Sequence, residues 1–173
     1  MKVDICLAEK KDAAVIADLS RQTFFDTFAS QNTKEDMEKF MSEQFTREAL
    51  MNEVGVEDQF FYIARVNESL AGYVKLREGK EGPELKNRRS LEIARIYAVK
   101  EMLGKGVGSA LMQKAIDVAT ERNKEILWLG VFQANKTAID FYKRWGFEIF
   151  GEQDFLLGND LQKDWLMRKM LIS

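Results

Sequence analysis

Three glycines at alternate positions lie in Leu103-Gly-Lys-Gly-Val-Gly-Ser109, between an apolar strand-like run and a helical pattern. Glycine reaches backbone angles closed to other residues, so several N–H groups can turn towards one anion. The helix that follows adds the positive end of its dipole. This spacing suits capture of a phosphate-bearing ligand; the alternative is a glycine-rich strand-to-helix turn without one. Two common phosphate templates do not fit. A dinucleotide fingerprint counted from Gly106 needs glycine where the chain has Leu111. A Walker A loop counted from Gly104 needs Gly-Lys-Ser/Thr where the chain has Ser109, Ala110 and Leu111.

A second group of residues follows about thirty positions later. In Asn135-Lys-Thr-Ala-Ile-Asp-Phe-Tyr-Lys-Arg-Trp-Gly-Phe147, the residues Ala138, Phe141, Tyr142 and Trp145 share one apolar helical face. Tyr142 therefore points inward. Periodicity alone reads it as a core tyrosine whose hydroxyl is tied to a neighbour. The chain has no histidine, which excludes Ser-His and Cys-His catalysis and histidine-containing metal sites. A general acid or base must then be Glu, Asp, Tyr, Lys, Cys or water.

Composition bounds the rest. A chain of 173 residues, 46% hydrophobic and with one proline, is read as a single globular domain spanning 1–173. No apolar run approaches the ~20 residues of a membrane span. Asp4 and Glu9 interrupt the apolar core that a signal peptide would need, and Cys6 has no partner for a disulfide, so a cytoplasmic protein is expected. A net charge of −2 argues against general nucleic-acid binding. Charge is concentrated between Lys34 and Asp58, where three basic residues face eight acidic ones, a net of −5. Such a field attracts cations; the alternative is a solvated helical face.

The pattern predicts a strand over 3–8, helices over 11–28, 33–41 and from Thr46, and a hairpin over 59–77. An exposed loop with Gly79, Gly82 and Pro83 is expected over 78–89. A strand over 90–99 leads into the glycine loop and a well-buried helix, then a central strand over 126–132. Asn135 caps the next helix, and two strands around Gly158-Asn159-Asp160 close the chain. This order is not a regular βαβ alternation, so neither a Rossmann fold nor a barrel is favoured.

The alternating glycines resemble the coenzyme loop of the GNAT (Gcn5-related) acyl-CoA N-acetyltransferases, with Leu103 where that loop usually has Gln or Arg. The segment Asn-x-x-Ala-x-x-Phe-Tyr-x-x-x-Gly-Phe over 135–147 is similar to the second coenzyme-binding segment of the same family. The resemblance implies an α+β, three-layer sandwich whose mixed, mostly antiparallel sheet splays between its fourth and fifth strands. It implies acetyl-CoA as co-substrate and no metal. Main-chain amides of Gly104, Lys105, Gly106, Val107, Gly108 and Ser109 would hold the pyrophosphate, and Asn135 the pantetheine region. Ile96, Tyr97, Ala98 and Val99 would present main-chain groups to the pantetheine arm, in a slot opened by a bulge beside 128–131. Tyr142 would protonate the leaving sulfur. Glu92 on the same strand would accept the amine proton, directly or through water; the alternative is a surface carboxylate.

Gln22-Thr-Phe-Phe-Asp-Thr-Phe28, Asn32-Thr-Lys-Glu-Asp-Met37, Phe45, Leu91-Glu-Ile-Ala-Arg-Ile-Tyr97 and Trp128-Leu-Gly-Val131 resemble the bacterial Pai-type spermine/spermidine acetyltransferases. This implies a polyamine acceptor, with which the acidic 34–58 segment is compatible. It also implies neither a nucleic-acid nor a membrane partner, and allows a homodimer. Two other readings stay open: acetylation of a protein N-terminus or lysine, and a non-catalytic acyl-CoA-binding module.

Overall fold

The computed structural model describes residues 2–79, 82 and 85–171. Strands β1 (Asp4–Leu7), β2 (Gln59–Val66), β3 (Ser69–Arg77), β4 (Ser90–Ala98), β5 (Ile126–Phe132), β6 (Glu148–Leu157) and β7 (Asp160–Met170) form one sheet. Their order is β1-β2-β3-β4-β5-β7-β6. All neighbours are antiparallel except β4 and β5. The expected mixed sheet is present. The β2–β3 hairpin turns on Asn67 and Glu68, both at positive φ (50° and 69°), the geometry that matches the twist of the strands it joins.

Helices α1 (Ala13–Phe28), α2 (Lys34–Lys39), α3 (Arg47–Glu53), α4 (Val107–Glu121) and α5 (Lys136–Arg144) cover both faces. On one face α4 and α5 bury Val107, Leu111, Met112, Ala115, Ile139 and Tyr142 against Ala71, Val74, Leu91, Ile93, Leu127 and Leu129. On the other, α1 buries Ile16, Ala17, Leu19, Phe24 and Phe28 in two clusters with α3 and the opposite faces of β2 and β3. Each fully buried aliphatic or aromatic side chain contributes about 1.5–3 kcal/mol, which is why the two apolar stripes dictate the layering. Thr33 Oγ1 accepts from the Asp36 N–H (3.1 Å) and Thr46 Oγ1 from the Ala49 N–H (3.2 Å), so both caps read from the sequence exist. A π turn over Phe40–Gln44 lies between them, where the sequence pattern continued the helix.

The 78–89 segment is less exposed than expected. Leu85 is 1% exposed and packs with Trp128, Ile126 and Leu166, and a Cβ on Gly82 would approach the Trp128 ring at 3.2 Å. Pro83, part of the same expected loop, lies outside the described residues. Among the described residues no helix is long and apolar enough to cross a membrane.

Helix α4 approaches β3 and β4 closely at Gly72, where a Cβ would stand 2.4 Å from the Tyr97 carbonyl oxygen and 3.1 Å from Val107 Cγ1. Gly72→Ala should therefore lower unfolding stability by about 1–3 kcal/mol through overpacking. A urea titration checks this, the midpoint falling while the slope stays constant.

Candidate active site

The site originates in one extra residue on β4. Lys75 pairs with Arg95 but Leu76 pairs with Ile93, so Ala94 is a bulge. Before it, Leu91 and Ile93 face the α4 layer; after it, Ile96 and Ala98 do, and Arg95 and Tyr97 turn to the α1 side. A bulge bends its strand and raises the local twist. The parallel pairing of β4 with β5 runs from Ser90↔Ile126 to Ile93↔Leu129 and stops there. β5 continues to Phe132 against β7. Residues 94–98 and 130–132 thus diverge, each presenting unpaired main-chain groups to the gap.

A cavity of about 1030 Å³ fills this gap and runs through to the α1 side. At one end it is lined by Ile96, Tyr97, Ala98, Gly104, Gly106, Gly108, Ser109, Asn135 and Tyr142, which the structure brings together. Gly104 (φ +76°) and Gly106 (φ +85°) occupy the left-handed region, and a Cβ on either would meet nothing within 4 Å. Gly106 is also the N-cap residue of α4, whose first turn carries no acidic side chain. The first amides of a helix lack intrahelical acceptors, so this turn offers several free donors to an anion. An open cradle with donors and no competing carboxylate fits a pyrophosphate.

Asn135 caps α5, its Oδ1 accepting from the Ala138 N–H at 3.3 Å, which leaves its amide NH₂ for a ligand. Tyr142 is 8% exposed and packs against Phe141 and Phe147. Its hydroxyl has no hydrogen-bond partner among the described residues, unlike that of a tied core tyrosine, and burial pushes its phenol well above the ordinary range.

Four expected residues behave differently. Lys105 does not line the cavity. Val99 packs with the α1-side cluster, its N–H donating to the Ala71 carbonyl (2.8 Å). Val107 is 1% exposed in the core, so only its main chain can serve a ligand. Glu92 is a correction. It lies before the bulge, outside the cavity lining, and its Oε1 accepts from Arg77 Nε at 2.7 Å. A carboxylate held there by a guanidinium is not placed to take a proton from an acceptor in the gap.

The carboxylate that does line the gap is Asp164 on β7. Gly130 makes room for its amide partner: a Cβ there would lie 2.6 Å from Gln153 Nε2, with Asp164 Oδ2 at an ordinary 3.5 Å. Burial raises the Asp164 carboxyl to about 6, partly offset by the Gln153 amide. Tyr97 is close enough to feel both Asp164 and Tyr142, and burial holds its phenol far above the ordinary range. Asp164 was missed because alternation in 161–171 marks only which residues face inward. A charged residue on an inward position was the available signal.

Beyond the splay, the cavity is walled by Phe24, Phe28, Phe40, Phe45, Phe155 and Leu157. Phe24 and Phe40 stack at 4.5 Å. Of the eight acidic residues between 34 and 58, only Glu53 lines this end, and it is engaged. Its Oε1 accepts from Lys75 Nζ (3.0 Å) and from Arg95 Nη2 (2.6 Å). The acidic 34–58 segment therefore contributes one carboxylate to the cavity, and that one is already ion-paired.

Comparison with known proteins agrees with this geometry. The model of the acetyltransferase (GNAT) family matches residues 20–147. An uncharacterized N-acetyltransferase of Lactobacillus delbrueckii subsp. lactis is 37% identical over 170 residues, covering 98% of each chain. A spermidine N(1)-acetyltransferase of Thermoplasma acidophilum is 23% identical over 153 residues, 86% of this chain and 90% of that one. The crystal structure of the PaiA N-acetyltransferase of Thermoplasma acidophilum in complex with coenzyme A superposes with a TM-score of 0.79. That match has 22% identity and covers 98% of this chain and 99% of the other. The splayed sheet, the glycine cradle and the family match lead to one conclusion: the chain belongs to the GNAT acetyltransferases.

Proposed function

We propose that this protein transfers the acetyl group of acetyl-CoA to the primary amine of a small molecule. The observation that carries the reading is the single cavity joining the Gly104–Ser109 cradle and the splay to Tyr142 and Asp164. The main-chain donors of the cradle would hold the pyrophosphate, and Asn135 and the unpaired edge of residues 96–98 the pantetheine arm. Acetyl-CoA supplies the thioester, an acyl donor activated enough for an uncharged amine to attack.

This chain's residues manage the protons. Asp164, ionised above about pH 6, takes the proton that the amine loses as its nitrogen bonds to the acetyl carbon. Tyr142 gives a proton to sulfur as the carbon–sulfur bond breaks; its raised phenol keeps it in the protonated form that a donor needs. The products are an amide and a free thiol, with no net proton gained or lost relative to the neutral amine.

The polyamine acceptor is supported by the name of the Thermoplasma relative. The cavity supports it less, because the acidic segment contributes only the neutralised Glu53. Thiol release from acetyl-CoA with spermidine, diamines, amino acids and a peptide panel tests the transferase reading and ranks the acceptors. Release with none of them, despite coenzyme binding, would leave only the non-catalytic module.

Gly106→Val puts a branched side chain at φ +85° and into the cradle. Calorimetry should show coenzyme A affinity reduced by ~10²-fold or more, the equivalent of several lost main-chain hydrogen bonds. Unchanged affinity in a folded variant would reject the cradle. Tyr142→Phe keeps the ring and should lower kcat by roughly 10²-fold, with coenzyme affinity nearly constant. Equal losses of stability and activity would return Tyr142 to the core.

Asp164 yields a pH prediction in two readouts. As the base, it makes kcat/KM rise as pH climbs through about 6, and Asp164→Asn should abolish that limb along with most of the rate. For stability the sign is opposite. The folded state binds this proton more tightly than the unfolded chain, whose carboxyl titrates near ~3.9. Wild type should therefore lose stability relative to Asp164→Asn as pH rises from about 4 through 6. A pH series of urea midpoints for both proteins measures it.

A further inference from the structure

The α1 face of the β3–β4 pair carries a ladder of cross-strand neighbours: Tyr73 opposite Tyr97, Lys75 opposite Arg95, Arg77 opposite Glu92. Tyr97 marks the splay, where the acetyl group would lie. Lys75 and Arg95 stand one pleat repeat further on, roughly 7 Å along the strands. Both line the cavity, and both are largely withdrawn from water, with Lys75 only 2% exposed.

Their charges do not balance. Arg77 is matched by Glu92 at 2.7 Å. Lys75 and Arg95, by contrast, share one carboxylate, and indeed one oxygen of it, Glu53 Oε1. The trio carries a net charge of +1 in a poorly hydrated place. Among the described residues two other carboxylates line the cavity, but neither is within ion-pair distance of Lys75 or Arg95: Asp26 lies on the exposed side of α1, hydrogen-bonded to the Gln22 amide, and Asp164 stands beside Gly130 with the Gln153 amide. Aromatic faces take up part of the excess, with Phe45 5.1 Å from the Arg95 guanidinium and Phe61 5.6 Å from Lys75 Nζ. One further sign of incompleteness is present: burial, with the Arg95 charge, lowers the Lys75 ammonium to about 8, and among the described residues the only other polar group at the Arg95 guanidinium is the neutral Tyr73 hydroxyl. Buried charges are ordinarily paired, and a carboxylate arriving through the cavity would pair this one.

We propose that Lys75 and Arg95 form an anion subsite at the acceptor end, and that the acceptor is a small amine that also carries a carboxylate and an apolar body. This rests on the acetyltransferase reading for its amine but not for its anion. The phenylalanine wall receives the apolar part. An amino acid with a hydrophobic side chain is the simplest small molecule that carries all three groups, an amine, a carboxylate and an apolar body. A linear polyamine would bring positive charge beside a trio that already has one positive charge unmatched.

Two measurements test it. The first compares thiol release with phenylalanine and methionine, their amides, and spermidine. The free acids should exceed their amides in kcat/KM by about tenfold to a hundredfold, the range for one charge-assisted hydrogen bond. Lys75→Met should bring that ratio close to one, and Lys75→Arg should restore most of it. The second measurement needs no catalysis: calorimetric titration of the coenzyme A-loaded protein with 3-phenylpropionate and with 3-phenylpropanamide. Binding of the acid and not the amide supports the subsite even if no amine is acetylated, in which case the transferase reading alone fails. Amides and spermidine turned over as well as the acids, with no preference for phenylpropionate, would overturn the subsite and leave the transferase reading intact.

Discussion

The bulge at Ala94 is the constraint on which the site depends. Had β4 kept its register with β3, it would also have kept its pairing with β5, and the sheet would be closed at its centre. The extra residue bends the strand away and exchanges which side chains face which layer. Main-chain groups of two adjacent strands are left without partners in the interior. Unpaired interior backbone is costly, and a ligand arm with amide groups of its own is a fitting partner for it. The opening is held apart by well-packed layers on both sides: Val107, Leu111 and Met112 beneath, Phe24, Phe28 and Tyr73 above.

The same opening divides the cavity into two electrostatic regions. At the cradle, positive character comes from backbone geometry: glycines at positive φ and the first turn of α4. At the far end it comes from side chains, Lys75 and Arg95 against a single Glu53. Between them lie the groups suited to proton transfer, Tyr142 and Asp164, each shifted by burial towards its protonated form. Asp164 remains close enough to neutrality to exchange a proton under ordinary conditions, whereas Tyr142 stays protonated. Burial raises both groups, and the separation between them is that of a phenol from a carboxyl.

Much of the fold was legible locally. Thr33 and Thr46 announced their helices because a cap acts over three residues. The hairpin at Asn67 and Glu68 and the face of α4 were likewise local patterns. The π turn over Phe40–Gln44 was not, because one inserted residue per turn leaves a helical pattern almost unchanged. Leu85 was read as loop because its neighbours include glycine and proline, yet its side chain covers Trp128 on a strand forty residues away. Glu92 was misjudged for a related reason. It lies on the correct strand and on the same face as Tyr97, but at a position where β4 is still paired with β5, and there it forms an ion pair with Arg77.

By itself the sequence determined the left-handed turn at Gly104 and Gly106, the Asn135 cap and the inward face of Tyr142, since these depend on backbone freedom and on a period of 3.6 within one segment. It also determined, through the absence of histidine, that proton transfer must use other groups. Tertiary structure alone decided which carboxylate reaches the gap and which cations remain under-compensated. Asp164, Gln153 and Gly130 come from three strands, and Lys75, Arg95 and Glu53 from two strands and a helix. Charge balance and burial are properties of what surrounds a side chain. Those surroundings exist only once segments distant in the chain have packed together.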